Sequence, residues 1–150
     1  MRFTKPRDLL AAALIAGLLA HLLLRLAYGT LPPLPTFAGF TLLVIAVVDL
    51  VLAFSLRARI QRKPGTEPVQ PLTAARAVAL AKASSLLGAI MAGAWAGVLV
   101  YVLPVRGEFE AADHDLVSAV VGVACAAALI GAGLWLEHCC RTPKDSLRES

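Results

Sequence analysis

Four apolar stretches, each long enough to cross a lipid bilayer, constrain this chain more than any motif in it. They fall at about residues 9–28, 36–56, 76–103 and 116–136. Some 20 apolar residues suffice for a helix to cross the hydrocarbon core. In lipid, every backbone N–H and C=O must be satisfied inside its own segment, so such spans fold as helices. The joints between them are short, which predicts a single-domain, all-α integral membrane bundle of four helices running up and down. Composition agrees: 59% of the 150 residues are hydrophobic, against roughly 45–50% in soluble domains.

The boundaries follow from local chemistry. A basic head, Arg2, Lys5 and Arg7, precedes the first span. A basic head before an apolar run also describes a secretory signal. Here the apolar character resumes past His21 with Leu22-Leu23-Leu24, and no A-x-A pattern closes it, so a span is expected. The prolines of Gly29-Thr30-Leu31-Pro32-Pro33-Leu34-Pro35 forbid continued helix, and a tight hairpin between antiparallel spans is expected there. The second span ends in Arg57, Arg59, Arg62 and Lys63, followed by a polar linker. The third helix is expected to start at Pro71 or Thr73, to carry Arg76 and Lys82 at the interface, and to stop at Pro104. Glu108, Glu110, Asp113 and Asp115, with Arg106, read as a short acidic loop before the fourth span.

The net charge of +4 does not indicate nucleic-acid binding, because the positive residues flank apolar spans. At least eleven Lys and Arg lie on one side of the four spans, and Arg106 alone lies in the two loops on the other. The positive-inside rule then puts both termini and the middle loop in the cytoplasm.

Lipid gives helices no hydrophobic reason to associate, so small residues that admit close packing carry the assembly. Gly88, Ala92 and Ala96 form one ridge on the third span, and Ala89, Gly93 and Gly97 form another. The fourth offers Ser118, Gly122 and Ala126, then Ala127-x-x-x-Gly131; the first offers Ala13-x-x-x-Gly17. Packing within the bundle is the preferred reading, and a seam for a second membrane protein or a second copy is the other.

Asp49 is the exceptional polar residue. It sits seven residues from the inner end of its span at Leu56, about 10 Å inside the membrane boundary. Charge at such depth is costly and needs a reason. Lys82, Arg76 and Glu137 approach the same layer from the third and fourth spans. A structural ion pair of Asp49 with Lys82 is preferred over a proton or ion path, because the outer half of the second span is almost bare of polar groups. His21 and Arg25, four residues apart, form a second polar pair on one helix face. Arg25 is a candidate partner for Asp113 or Asp115, with Tyr28 and Tyr101 as outer aromatic markers. His138-Cys139-Cys140 has no metal-ligand spacing, and no C-x-x-C, phosphate loop, nucleophile elbow or H-E-x-x-H occurs. No enzyme activity, cofactor or metal is therefore expected.

The segments Pro71-Leu72-Thr73-Ala74-Ala75-Arg76, Ala81-Lys82-Ala83-Ser84, Gly97-Val98-Leu99-Val100-Tyr101 and Leu134-Trp135-Leu136-Glu137-His138-Cys139-Cys140-Arg141 carry a resemblance. The chain resembles an actinobacterial family of small four-span membrane proteins, a domain of unknown function often encoded near folate-biosynthesis genes. The resemblance implies a multi-pass protein of the plasma membrane and transfers no activity. The expected function is that of a non-enzymatic accessory or scaffold subunit joined to partners through small-residue helix faces. The alternative is a subunit of a transporter or ion-coupled system using Asp49 and Lys82.

Overall fold

The computed structural model describes residues 4–32, 34–60, 65 and 70–140. Arg2, Pro33, Arg62, Lys63, most of the polar linker and the C-terminal cations Arg141, Lys144 and Arg148 lie outside the described residues. Four helices make up the fold: α1 (Pro6–Ala27), α2 (Phe40–Ile60), α3 (Pro71–Val102) and α4 (Glu110–Cys139). No strand occurs among the described residues, and all four helices are long and apolar enough to cross a membrane.

Each helix carries its own boundary signals. Pro6 and Pro71 open α1 and α3, where a missing N–H costs nothing and the fixed φ already suits the helix. Asp8 lies in the first turn of α1, and Glu110 and Asp113 in that of α4. Arg25 closes α1, while Arg57 and Arg59 close α2. These placements complement the helix dipoles. The residues from Glu110 to Asp115 are therefore the first turns of α4 and not a loop, because acids stabilise a helix start. The second span also differs in detail, since Thr36–Gly39 is a 3-10 turn leading into α2. With 32 residues α3 is about 48 Å long, well beyond the roughly 30 Å hydrocarbon core, so it extends past the membrane at one end at least.

The helices stand in the order α1, α3, α4, α2. The central pair, α3 and α4, shares the largest interface; α1 packs on α3, and α2 packs on α4 with a lesser contact to α3. Among the described residues α1 meets neither α2 nor α4 helix to helix. The expected hairpin between the first two spans is thus replaced by a bridge from one flank of the bundle to the other. The cause is the distribution of small residues. A Cβ on Gly93 would run into the Ala13 carbonyl, and one on Gly97 into the Gly17 carbonyl. Backbone touches backbone at that crossing, as small-residue motifs allow, and it binds α1 to α3 rather than to its neighbour in sequence.

Three clusters fill the bundle from end to end. Leu24, Trp95, Val98, Val102, Ala112 and Ala119 occupy the end carrying the interhelix turns. Leu42, Ala46, Ala126, Leu129 and Ala132 form the middle. Ala53, Leu56, Ala77, Ala81, Leu136 and Cys139 pack at the end nearer the termini. Gly122 leaves room for the Trp95 ring, Gly88 for Ile130 and the Ala126 carbonyl, and Gly133 for the Ala81 carbonyl 2.9 Å from where a Cβ would stand. Ala92 is half-buried against the middle cluster. Gly131 departs from the expected packing role: it is exposed, with open space where a Cβ would be, because the helix turn that buries Ala132 and Gly133 aims Gly131 outward.

Candidate functional site

Three buried acids divide the polar chemistry of the bundle, and each lies in a different setting. At the turn end, Asp115 is buried in the second turn of α4. The Tyr28 hydroxyl donates to its Oδ2 at 2.9 Å, and the Leu34 N–H donates to its Oδ1 at 3.0 Å. Ser118, one turn along, donates to the Leu34 carbonyl at 3.4 Å and to the His114 carbonyl at 3.2 Å. The Thr36 hydroxyl and His114 Nε2 are 3.0 Å apart. Both backbone groups of Leu34 are thus held by α4, and the proline-rich bridge from α1 to α2 is pinned across the end of the bundle. A cavity of ≈ 210 Å³ opens beside this pin, lined by Tyr28, Leu34, Phe109 and Asp115 among others. Tyr28 packs against Tyr101 and Phe109 with ring centroids 5.0 and 5.9 Å apart.

The expected outer pair is separated by this arrangement. His21 turns toward α3, where its ring meets Tyr101 edge-on at 5.9 Å and its Nδ1 is buried without a hydrogen-bond partner. Arg25 is exposed. It forms no ion pair with Asp113 or Asp115: Asp113 lies 3.7 Å from Arg106, and Asp115 is occupied by Tyr28 and Leu34.

At the opposite end, Glu137 is buried on α4 and accepts the Thr4 N–H at 2.8 Å. It ties the segment before α1 to the far side of α3. Arg76 is exposed on α3, so it stands apart from the buried acids. Arg57 lies over the Trp135 ring, 5.6 Å from its centroid. Cys140, just past α4, is half-buried, and that burial pushes its thiol above the usual range, with Cys139 beside it adding to the effect. Among the described residues no three His, Cys, Asp or Glu side chains come together as metal ligands.

Asp49 lies between these ends. It has no exposed surface, and among the described residues neither Oδ1 nor Oδ2 has a hydrogen-bond partner. The Ser84 hydroxyl of α3 lies beside the carboxyl group, while Ser85 gives its hydroxyl to the Lys82 carbonyl at 3.1 Å. Lys82 is half-buried on the turn below. The structural ion pair of Asp49 with Lys82 is the expectation from sequence; among the described residues neither Asp49 oxygen has a hydrogen-bond partner, and Glu137 accepts the Thr4 N–H. The charge layer resolves into a buried acid, a clamp and exposed or half-exposed cations.

Sequence reasoning missed two features. The Asp115 pin depends on the fold returning Leu34 to α4, which no local pattern announces. Gly133, where a Cβ would stand 2.9 Å from the Ala81 carbonyl, lies outside the small-residue motifs read on the fourth span, which stop at Gly131. A family model described as a protein of unknown function (DUF3180) matches residues 9–144. No curated protein and no solved structure matches the chain.

Proposed function

The chain belongs to this DUF3180 family of proteins of unknown function, and from that premise we propose that it is a non-enzymatic accessory subunit of the plasma membrane that seats a partner membrane protein on α4. One observation carries the reading. Most small residues are spent on internal contacts, but Ala124, Ala127, Ala128 and Gly131 lie exposed along one face of α4, and a side chain at Gly131 would meet nothing within 4 Å. A face of that kind is the surface on which membrane helices approach closely. The Lys and Arg distribution supports cytoplasmic termini, with the Asp115 pin then on the outer side. The resemblance to actinobacterial four-span proteins supports the plasma membrane as the location.

Crosslinking in native membranes, followed by identification of co-purifying proteins, tests the reading. A reproducible partner that is lost in Gly131→Leu, with the bundle still folded, is the expected outcome. The same partner recovered from Gly131→Leu refutes the α4 face. Recovery of second copies alone favours the other reading, a subunit of an ion-coupled system, for which the buried Asp49 is the favouring observation.

A further inference from the structure

Asp49 differs from the other buried acids of the bundle in that, among the described residues, the Ser84 hydroxyl is the polar group beside it and neither oxygen accepts a well-formed hydrogen bond. Asp115 accepts two hydrogen bonds and Glu137 accepts one, whereas both Asp49 oxygens are buried and without a partner. Every element packed around it is short of charge at its level. From α3 come Ser84, beside the carboxyl group, and Ser85, already committed to the Lys82 carbonyl. From α4 come the apolar layers of Leu129, Ala132 and Leu136. Two of the charged groups nearest in sequence position are engaged with other partners, and neither Asp49 oxygen has a hydrogen-bond partner among the described residues. Lys82 is half-buried on the turn below, Glu137 holds Thr4, and Arg57, two turns along α2, covers Trp135. On the other side α1 does not reach α2 among the described residues.

A carboxylate at this depth would have only the neighbouring Ser84 hydroxyl to offset its charge, which is far more costly than burying the neutral acid. We propose that Asp49 is a proton-binding site within the membrane, occupied by a proton in the resting protein, so that it presents an O–H rather than a charge to the Ser84 hydroxyl. The site holds whether the protein is an accessory subunit or part of an ion-coupled system, because it rests on the seat of one side chain and not on the partner of the whole.

A protonated carboxyl group in an apolar seat has a distinctive reactivity. Its O–H adds across one C=N bond of a lipid-soluble carbodiimide to give an O-acylisourea, which rearranges to an N-acylurea. No group leaves, so the protein gains the mass of the whole reagent. Membranes containing the full chain would be treated with dicyclohexylcarbodiimide at neutral pH and the adduct located by mass spectrometry. Modification of Asp49 should exceed that of exposed Glu110 or Asp113 by up to about a thousandfold, since acids of ordinary pKa are only on the order of 0.1% protonated at neutral pH. Infrared difference spectra of the wild type against Asp49→Asn supply a readout independent of reagent access. A deuterium-sensitive carboxylic-acid C=O band should be present in the wild type and lost in the variant. Absence of that band overturns the proposal whatever the labelling shows. Protection of Asp49 by sodium ions at constant pH also overturns it, making the site one for a metal cation.

Discussion

Replacing Gly93 with Ala tests the most demanding contact in the fold. The added methyl would collide with the Ala13 carbonyl oxygen, its carbon and its Cα together. These are backbone atoms of a membrane helix, so no rotamer change relieves the clash and α1 must move outward bodily. Restoring ordinary contact requires a shift of about 1 Å or more, and a gap of 0.5–1 Å already forfeits a quarter to a half of the dispersion between facing atoms. The adjoining crossing of Gly17 on Gly93, where a Cβ would stand 2.9 Å from the carbonyl oxygen, loosens with it. Overpacking of this type costs about 1–3 kcal/mol. Ala is the better helix former by roughly 0.8–1.0 kcal/mol, so the net destabilisation against the wild type is about 0–2 kcal/mol, and the full cost of about 1–3 kcal/mol shows in the comparison with a glycine in open space. Gly131→Ala is the matched control, since it gains the same propensity in open space and should be neutral or stabilising. Unfolding of both variants in mixed detergent and sodium dodecyl sulfate, followed by Trp fluorescence and circular dichroism, gives the comparison. Equal stability of Gly93→Ala and Gly131→Ala would refute the backbone crossing of α1 on α3.

Two further outcomes are expected. Tyr28→Phe removes one donor from the buried Asp115 carboxylate, and bonds to charged groups contribute about 1.5–3 kcal/mol; a thermal midpoint unchanged from wild type would show that Leu34 alone holds the bridge. A membrane-impermeant thiol reagent should leave Cys139 and Cys140 unmodified in intact cells and reach Cys140 only in opened membranes. The thiolate is the reacting form and burial raises the Cys140 thiol, so the neutral thiol persists to higher pH and the rate should still be climbing above about pH 8.5, the value of a free cysteine; labelling from outside overturns the cytoplasmic placement of the termini.

The spans were legible because hydropathy depends only on the local run of side chains, and Pro6, Pro71 and the prolines after Tyr28 punctuate them plainly. The Gly93-x-x-x-Gly97 motif and Ala13-x-x-x-Gly17 were also readable, and the structure sets them against each other. Their pairing was not readable. A four-residue spacing states that a face is small without stating which other small face will meet it, so the order of the helices and the outward aim of Gly131 emerge only in three dimensions. The acids show the same limit. Asp49 could be recognised as deep, but which side chains of α3 meet it depends on helix rotation, and the structure places the Ser84 hydroxyl beside it. Asp115 looked like one of several loop acids until Leu34, 81 residues away in sequence, was found against it.

The order α1, α3, α4, α2 has a consequence for how the chain assembles as it is made. Helices enter a bilayer one by one and associate afterwards, and here, among the described residues, the first two share no helix-to-helix interface. Each therefore waits as a lone span until α3 and α4 arrive, and α1 waits on α3 with the whole of α2 and the polar linker still to be made in between. The later half of the chain is the template on which the earlier half is sorted. An interruption of synthesis after α2 would leave two membrane helices tethered by a proline-rich bridge whose anchor, Asp115, does not yet exist.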